Sequence, residues 1–172
     1  MIAILALCQI RLRNFVALEI GNTFKEVNES WWISLPSNST KNKRWEERRI
    51  PSSLNRAIDL YLIQARPILM RLSVGDNLLW ISSRTGRRFT YKYLGTLISN
   101  ITYRSLGVDV SPHLFRTAAA STAAVKIPQH PHLASALLGH TDPRVTDDHY
   151  KRMTSLSAGR IYADLVQEYL SR

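Results

Sequence analysis

The spacing of apolar residues changes from a helical period to a two-residue period near residue 22 and returns to a helical period after residue 51. Within this segment Trp31, Ile33 and Leu35 alternate with the residues between them, which is typical of a strand with one buried face. A polar turn follows them. Further strands are predicted near residues 23–27 and 47–50. The sequence therefore predicts an α+β fold that is mostly helical with a small antiparallel β-sheet near residues 22–51.

Helical periodicity surrounds the predicted sheet on both sides. Residues 2–18 are mostly apolar and predict one helix. A second helix is predicted to be capped by Ser52 or Ser53 and to run to about residue 72, with Pro67 ending or kinking it. Further helices are predicted from Thr90 to about Ser105, from Pro112 to about Val125, near residues 133–138 and near residues 158–170.

The size and composition fit one folded domain. The chain has 172 residues, of which 45% are hydrophobic, so it can bury a core of ordinary size. We therefore predict a single domain over residues 1–172. The one cysteine, Cys8, excludes an internal disulfide and lies in an apolar run, so we interpret it as a small buried hydrophobe. No histidine or cysteine cluster has the spacing of metal ligands, so neither a metal nor a cofactor is predicted.

The charge balance indicates a polyanionic partner. The chain has 23 Lys and Arg against 13 Asp and Glu, for a formal net charge of +10. A field of this sign concentrates DNA, RNA or an anionic membrane surface near the protein, and charge alone does not choose among them. The apolar opening at residues 1–10 is too short to span a bilayer, which takes about 20 residues, and it lacks the basic start and cleavage site of a signal peptide. A cytoplasmic protein is the expectation.

A histidine and an arginine stand together where a helix is predicted to begin. Pro112 favours the first helical turn, and the spacing of His113 and Arg116 puts both on one face, about 5–6 Å apart at Cβ. A helix N-terminus also presents free amide N–H groups and a partial positive charge, so the pair could grip one phosphate. By itself this spacing is common, and a capping or solvated pair is the competing interpretation.

Two further polar residues follow a predicted helix end. The run Leu-Leu-Gly before His140 is typical of a helix C-terminus, which leaves that histidine at the exit. Ten residues later, Tyr150 lies on a turn that Thr146 can cap. Taken singly, His140 could be a surface or capping histidine and Tyr150 a packing tyrosine.

In this order, the pieces resemble the catalytic domain of the tyrosine recombinases, the family that includes the phage integrases. The family pattern runs Arg, Lys, His-x-x-Arg, Leu-Gly-His and then a tyrosine nucleophile. Residues 15–18 resemble the apolar run that follows the family's first arginine, which makes Arg11 that arginine. The family's lysine lies on a β-hairpin eight residues before a proline, so Pro51 makes Lys43 that lysine, with Lys41 the alternative. The resemblance assigns the remaining places to His113, Arg116, His140 and Tyr150.

The resemblance implies an enzyme that cleaves and rejoins DNA at specific sites through a covalent 3′-phosphotyrosine intermediate on Tyr150. The implied roles are charge stabilisation on the phosphate by Arg11, Arg116 and His140, proton exchange with the tyrosine by His113, and protonation of the leaving 5′ oxygen by Lys43. No cofactor or metal is implied. The implied partners are double-stranded DNA and further copies of the chain, as a tetramer on DNA held through the C-terminal helix, with no membrane. The implied location is the bacterial cytoplasm, at the nucleoid when DNA is bound.

Three departures from the family pattern accompany this resemblance. Asn14 stands where the family usually has a glutamate. His140 and Tyr150 are ten positions apart, where nine is commoner. The family's DNA-clamping domain and the first helix of its catalytic domain have no counterpart before residue 2. A catalytic domain truncated at its N-terminus is therefore the expectation.

Three other functions fit parts of the same sequence. A catalytically impaired DNA-binding remnant of an integrase would keep the basic surface without the chemistry. A type IB topoisomerase-like strand transferase would use the same nucleophile to relax supercoils. A basic nucleic-acid-binding module would carry the motif matches by accident.

Overall fold

The computed structural model of the chain describes residues 1–41, 43–70 and 77–126. The chain divides into two compact units, Met1–Phe115 and Arg116–Arg172. The expectation of one domain over residues 1–172 stays a prediction. The helices predicted near residues 133–138 and 158–170 lie outside the described residues. Among the residues that are described, no helix has both the length and the apolar character needed to cross a membrane.

Short helices and one three-stranded antiparallel sheet make up the described chain, which confirms the predicted α+β class. The helices are α1 (Ile2–Cys8), α2 (Leu12–Val16), α3 (Asn55–Leu60), α4 (Arg66–Met70), α5 (Tyr91–Leu106) and α6 (Pro112–Lys126). The strands are β1 (Phe24–Val27), β2 (Ser30–Leu35) and β3 (Glu46–Arg49). The sheet and the first five helices belong to the first unit, and α6 runs from its end into the second.

The prediction of a single helix over residues 2–18 is wrong, because the chain turns sharply at Gln9. The backbone of Gln9 is left-handed with φ of 47°, and its side-chain Nε2 donates a hydrogen bond to the carbonyl of Ala6 at 2.5 Å. Helix α1 ends there, and α2 begins after Arg11. The break lets the chain bury Ile10 together with Phe15, which one straight helix would place about 140° apart around its axis. Ile4, Leu5, Cys8 and Val16 are buried with them.

Cys8 is buried, as the sequence predicted. Removal of the thiol from water raises the pKa of Cys8 to about 11, and the nearby positive charge of Arg48 opposes the rise only in part. The thiol is therefore protonated at neutral pH, where a protonated thiol is a poor nucleophile and a poor metal ligand.

The sheet is a meander with β2 in its centre. Phe24 of β1 lies opposite Ile33, and Glu46 of β3 lies opposite Leu35. The three predicted strands are confirmed, each within one residue of its expected bounds. Trp31, Ile33 and Leu35 are all buried, as their alternation predicted, and the ring of Trp31 stacks on that of Phe24 at 4.9 Å.

One continuous helical segment, here called the rod, follows the sheet and contains 3-10, α and π geometry in succession. It begins with a 3-10 turn (Ser52–Leu54), continues through α3 and a π turn (Tyr61–Ala65), and ends with α4. The predicted serine cap is wrong: no side-chain cap forms at either start, and the N–H of Leu54 donates to the carbonyl of Pro51 at 2.9 Å instead. Pro67 does not end the rod. Proline lacks an N–H, and the wider π turn directly before it already departs from the α pattern, so the chain stays helical to Met70.

Trp80 connects the rod to the N-terminal helices. Its ring lies 5.0 Å from that of Phe15 in α2 and 5.3 Å from that of Tyr61 in the rod. Arg66 adds two hydrogen bonds from Nε and Nη2 to the carbonyl of Leu78, at 3.1 and 3.0 Å. One buried aromatic cluster therefore fixes α2, the rod and the chain after residue 76 together.

The two longest helices begin where the sequence predicts. Thr90 caps α5, because its Oγ1 accepts a hydrogen bond from the N–H of Tyr93 at 3.2 Å. Helix α5 ends at Leu106, and Gly107 after it has φ of 70°, the left-handed conformation that glycine adopts at helix ends. Helix α6 begins at Pro112, as expected for a proline in a first turn.

Phe15→Ala should lower the free energy of unfolding by about 3–5 kcal/mol, because the ring is fully buried against Trp80 and its loss leaves a cavity. Leu7→Ala in α1 is the matched control. That side chain is half exposed, so its loss should change the free energy by less than about 0.5 kcal/mol. Urea unfolding followed by tryptophan fluorescence measures both, and equal losses would contradict the assigned core.

Candidate functional site

Arg11 is held at the start of α2 through its backbone and paired through its side chain. It is the N-cap of that helix, with an extended backbone, and its carbonyl accepts a hydrogen bond from the N–H of Phe15 at 2.9 Å. Its side chain is 27% exposed, and Nη1 lies 3.6 Å from Oε1 of Glu46. The arginine is thus fixed at its backbone and paired with an acidic residue on the sheet, while part of its side chain stays in water.

Glu46 is the first residue of β3 and lies close to the predicted catalytic lysine. It is opposite Leu35 in the sheet, and its side chain is only 10% exposed. Lys43 lies three residues before it, and three residues of chain reach at most about 11 Å. The ion pair therefore brings Arg11 to the strand that follows Lys43. Two predicted site residues that are far apart in sequence thus belong to neighbouring segments of the fold.

The loop between β2 and β3 is closed by Thr40, which is buried. Its Oγ1 donates to the carbonyl of Arg44 at 2.7 Å and accepts from the N–H of Arg44 at 3.1 Å. The N–H of Lys43 donates to the carbonyl of Thr40 at 3.2 Å, and Lys43 has a left-handed φ of 51°. Such a conformation in a residue other than glycine needs support from its neighbours, which these hydrogen bonds give.

The same loop presents an aromatic ring among positive charges. Lys41, Lys43 and Arg44 are exposed, and residues 36–45 contain no acidic residue. Trp45 follows them with 61% of its surface exposed. Exposed cations beside an exposed aromatic ring are typical of nucleic-acid-binding surfaces. Both candidate lysines are accessible, so Lys41 stays open as the alternative to Lys43.

His113 and Arg116 lie three positions apart on α6, as predicted. His113 belongs to the first unit and is exposed. Arg116 is the first residue of the second unit and is only 9% exposed. Arginine is rarely buried to this extent, because its charge must keep hydrogen-bond partners there.

The structure thus places four of the six predicted site residues. Arg11 and Lys43 share one end of the sheet, and His113 and Arg116 share one helix. His140 and Tyr150 lie outside the described residues, so their roles stay predictions. Among the residues described, no group of three His, Cys, Asp or Glu side chains could hold a metal ion.

Sequence reasoning missed Glu46 and Thr40. Nothing in their spacing connects Glu46 to Arg11, because an ion pair between distant segments leaves no periodic signal. Thr40 had a weak signal, since a threonine in a polar turn often hydrogen-bonds nearby backbone groups.

The chain is similar to solved recombinase structures. A scan against protein-family models and a search of curated proteins gave no match. The XerH site-specific recombinase bound to palindromic difH substrate in a post-cleavage complex has a TM-score of 0.71 and 17% identity over 94% of this chain and 44% of that chain. The XerH pre-cleavage complex with difH has a TM-score of 0.68 and 19% identity over 94% and 44%. The XerA recombinase has a TM-score of 0.67 and 20% identity over 95% and 54%.

The chain spans about half the length of these solved structures, with coverage of 44% to 54%. The similarity confirms the fold that the ordered motif residues implied.

Thr40→Val should loosen the loop between β2 and β3, because valine keeps the shape of threonine but leaves the N–H and carbonyl of Arg44 without their partner. The two lost hydrogen bonds are together worth about 1–3 kcal/mol, so amide hydrogen exchange at Arg44 should quicken about 5- to 150-fold. Thr96→Val is the control, since its exposed hydroxyl donates only to the carbonyl of Lys92 within a helix. Unchanged exchange at Arg44 would show that Thr40 does not hold the loop.

Proposed function

We propose that this chain, which has the tyrosine recombinase catalytic-domain fold, is the DNA-cleaving domain of a site-specific recombinase. The observation that carries the proposal is the contact between Arg11 and Glu46. It connects the first arginine of the motif with the strand that follows Lys43, and no local sequence pattern would produce it. The order of the motif residues along the chain supports the same assignment.

In the proposed reaction, Tyr150 is the nucleophile. Its phenolic oxygen forms a bond to the phosphorus of the scissile phosphodiester, and the bond from phosphorus to the 5′ oxygen breaks. His113 takes the phenolic proton, and Lys43 gives a proton to the departing 5′ oxygen. The products are a 3′-phosphotyrosine and a free 5′ hydroxyl. Attack by a 5′ hydroxyl of another strand reverses these steps and rejoins the DNA.

Arg11, Arg116 and His140 would stabilise the negative charge that spreads over the phosphate oxygens. A guanidinium offers a planar fork of donors that matches two of these oxygens. Each such donor, when held in place before the reaction, is typically worth about 3–4 kcal/mol. The hydrogen bond from the N–H of Phe15 to the carbonyl of Arg11 and the burial of Arg116 support this role, because both restrict where the donors can move.

The partners proposed for the chain are double-stranded DNA and further copies of itself. The net charge of +10 and the acid-free loop with exposed Trp45 support DNA binding. The XerH structures, at 17% and 19% identity, are complexes with difH substrate. Assembly as a tetramer through the predicted helix near residues 158–170, and a place in the bacterial cytoplasm at the nucleoid, are further parts of the proposal.

A covalent adduct between the chain and DNA tests the chemistry. The probe is a pool of random-sequence duplexes, each with one nick, so that a short 5′-hydroxyl fragment diffuses away after cleavage and traps the adduct. The wild-type chain should retain DNA after a denaturing wash, and Tyr150→Phe should retain none, because it lacks the nucleophilic oxygen. Tyr103→Phe, at an exposed position of α5, is the matched control and should behave as wild type.

Two other outcomes separate the alternative functions. Binding of the duplex pool without any adduct would support a DNA-binding remnant. Adduct formation that survives Tyr150→Phe would exclude Tyr150 as the nucleophile.

Lys43→Ala should slow cleavage of ordinary duplex by about 10²–10⁴-fold, the usual worth of a general acid. A duplex with sulfur in place of the bridging 5′ oxygen should restore the rate, because a thiol has a pKa of only about 8.5 and leaves without a proton donor. Lys41→Ala is the matched variant on the same loop and should cleave both duplexes normally. If only Lys41→Ala shows this rescue, Lys41 is the proton donor.

A further inference from the structure

We infer that Glu46 is a positioning residue, which orients the guanidinium of Arg11 and links it to the loop that carries Lys43. This inference rests on the proposed function, because the phosphate to be bound is that of the cleaved DNA.

The carboxylate of Glu46 is the fixed member of the pair. Its backbone is part of β3 and pairs with the central strand β2, opposite Leu35. Its side chain is 10% exposed, and within the part of the chain that the structure describes Oε1 is buried and has no hydrogen-bond partner. A buried carboxylate oxygen without a hydrogen bond is costly unless a cation lies beside it. Arg11 supplies that cation.

The guanidinium of Arg11 is the member that is oriented. Nη1 lies 3.6 Å from the carboxylate oxygen, which is longer than the 2.7–3.2 Å typical of a hydrogen bond. The attraction is therefore electrostatic and turns one edge of the group toward the sheet. A guanidinium has five N–H donors in a rigid fork, so holding one edge also sets the direction of the others.

The position of Glu46 in the chain also links the Arg11–Glu46 pair to Lys43. Lys43 precedes it by three residues, with Arg44 held by Thr40 between them. Glu46 thus ties Arg11 to the same short segment that carries the proposed proton donor. One phosphate can contact both Arg11 and Lys43 only if the distance between these two residues stays constant. The ion pair between Arg11 and Glu46 restrains that distance.

Charge and geometry predict opposite effects when Glu46 is neutralised. If only its charge mattered, Glu46→Gln would remove a negative group near the phosphate site and strengthen both DNA binding and cleavage. If it positions Arg11, the variant should bind DNA as well as wild type or better but cleave more slowly. A displacement of about 1 Å at a catalytic group can slow a reaction by about 10²-fold.

The experiment compares DNA binding with single-turnover cleavage on a nicked duplex recovered from the adduct-forming pool. Glu46→Gln should slow cleavage about 10- to 100-fold, while the dissociation constant for DNA stays equal or falls. Glu46→Asp keeps the charge but withdraws it by one methylene, and should cleave at an intermediate rate. Glu47→Gln is the matched control: it removes one charge from the same strand at an exposed carboxylate that accepts from Ser34, and should cleave as wild type.

The outcomes separate this inference from the proposed function. Wild-type cleavage by Glu46→Gln, or an equal loss in Glu47→Gln, would overturn the positioning role while leaving the recombinase chemistry intact. No adduct from the wild-type chain would overturn both. If thermal melting shows that Glu46→Gln is unfolded, Glu46→Asp decides: a folded variant with the wild-type cleavage rate would overturn the inference, and a severalfold loss with unchanged DNA binding would support it.

Discussion

Burial of Phe15 against Trp80 fixes the position of Arg11. The two rings lie 5.0 Å apart, Phe15 is fully buried, and its N–H donates to the carbonyl of Arg11 at 2.9 Å. That hydrogen bond closes the first turn of α2, so the arginine cannot shift without moving a ring in the core. The turn at Gln9 makes the arrangement possible, because it ends α1 before the chain reaches Arg11.

The β2–β3 hairpin has a fixed base and an accessible tip. Thr40 closes the loop with its hydroxyl, and Glu46 connects the start of β3 to Arg11. Between them, Lys43 and Trp45 are exposed. This arrangement suits the proposed role, in which the loop would contact DNA and deliver Lys43 to one atom, because a rigid base limits the entropy lost on binding.

The burial of the proposed site cations matches the chemistry proposed for each. Arg116 is buried and Arg11 is partly so, and a guanidinium spreads its positive charge over a planar group with five N–H donors. Such a group can bind a phosphate throughout the reaction but cannot give up a proton. Lys43 is exposed, and an ammonium group can transfer a proton to a leaving oxygen.

Local pattern alone predicted the strands, the cap at Thr90 and the start of α6, because each depends on residues within a few positions of one another. The order of the motif residues also predicted the family fold, because that order can be read directly from the sequence. The turn at Gln9 and the Arg11–Glu46 pair left no such trace. Gln9 adopts a left-handed backbone because burying Ile10 and Phe15 together requires the helix to break. Glu46 meets Arg11 because the sheet and α2 share one core, and only tertiary packing brings such distant segments together.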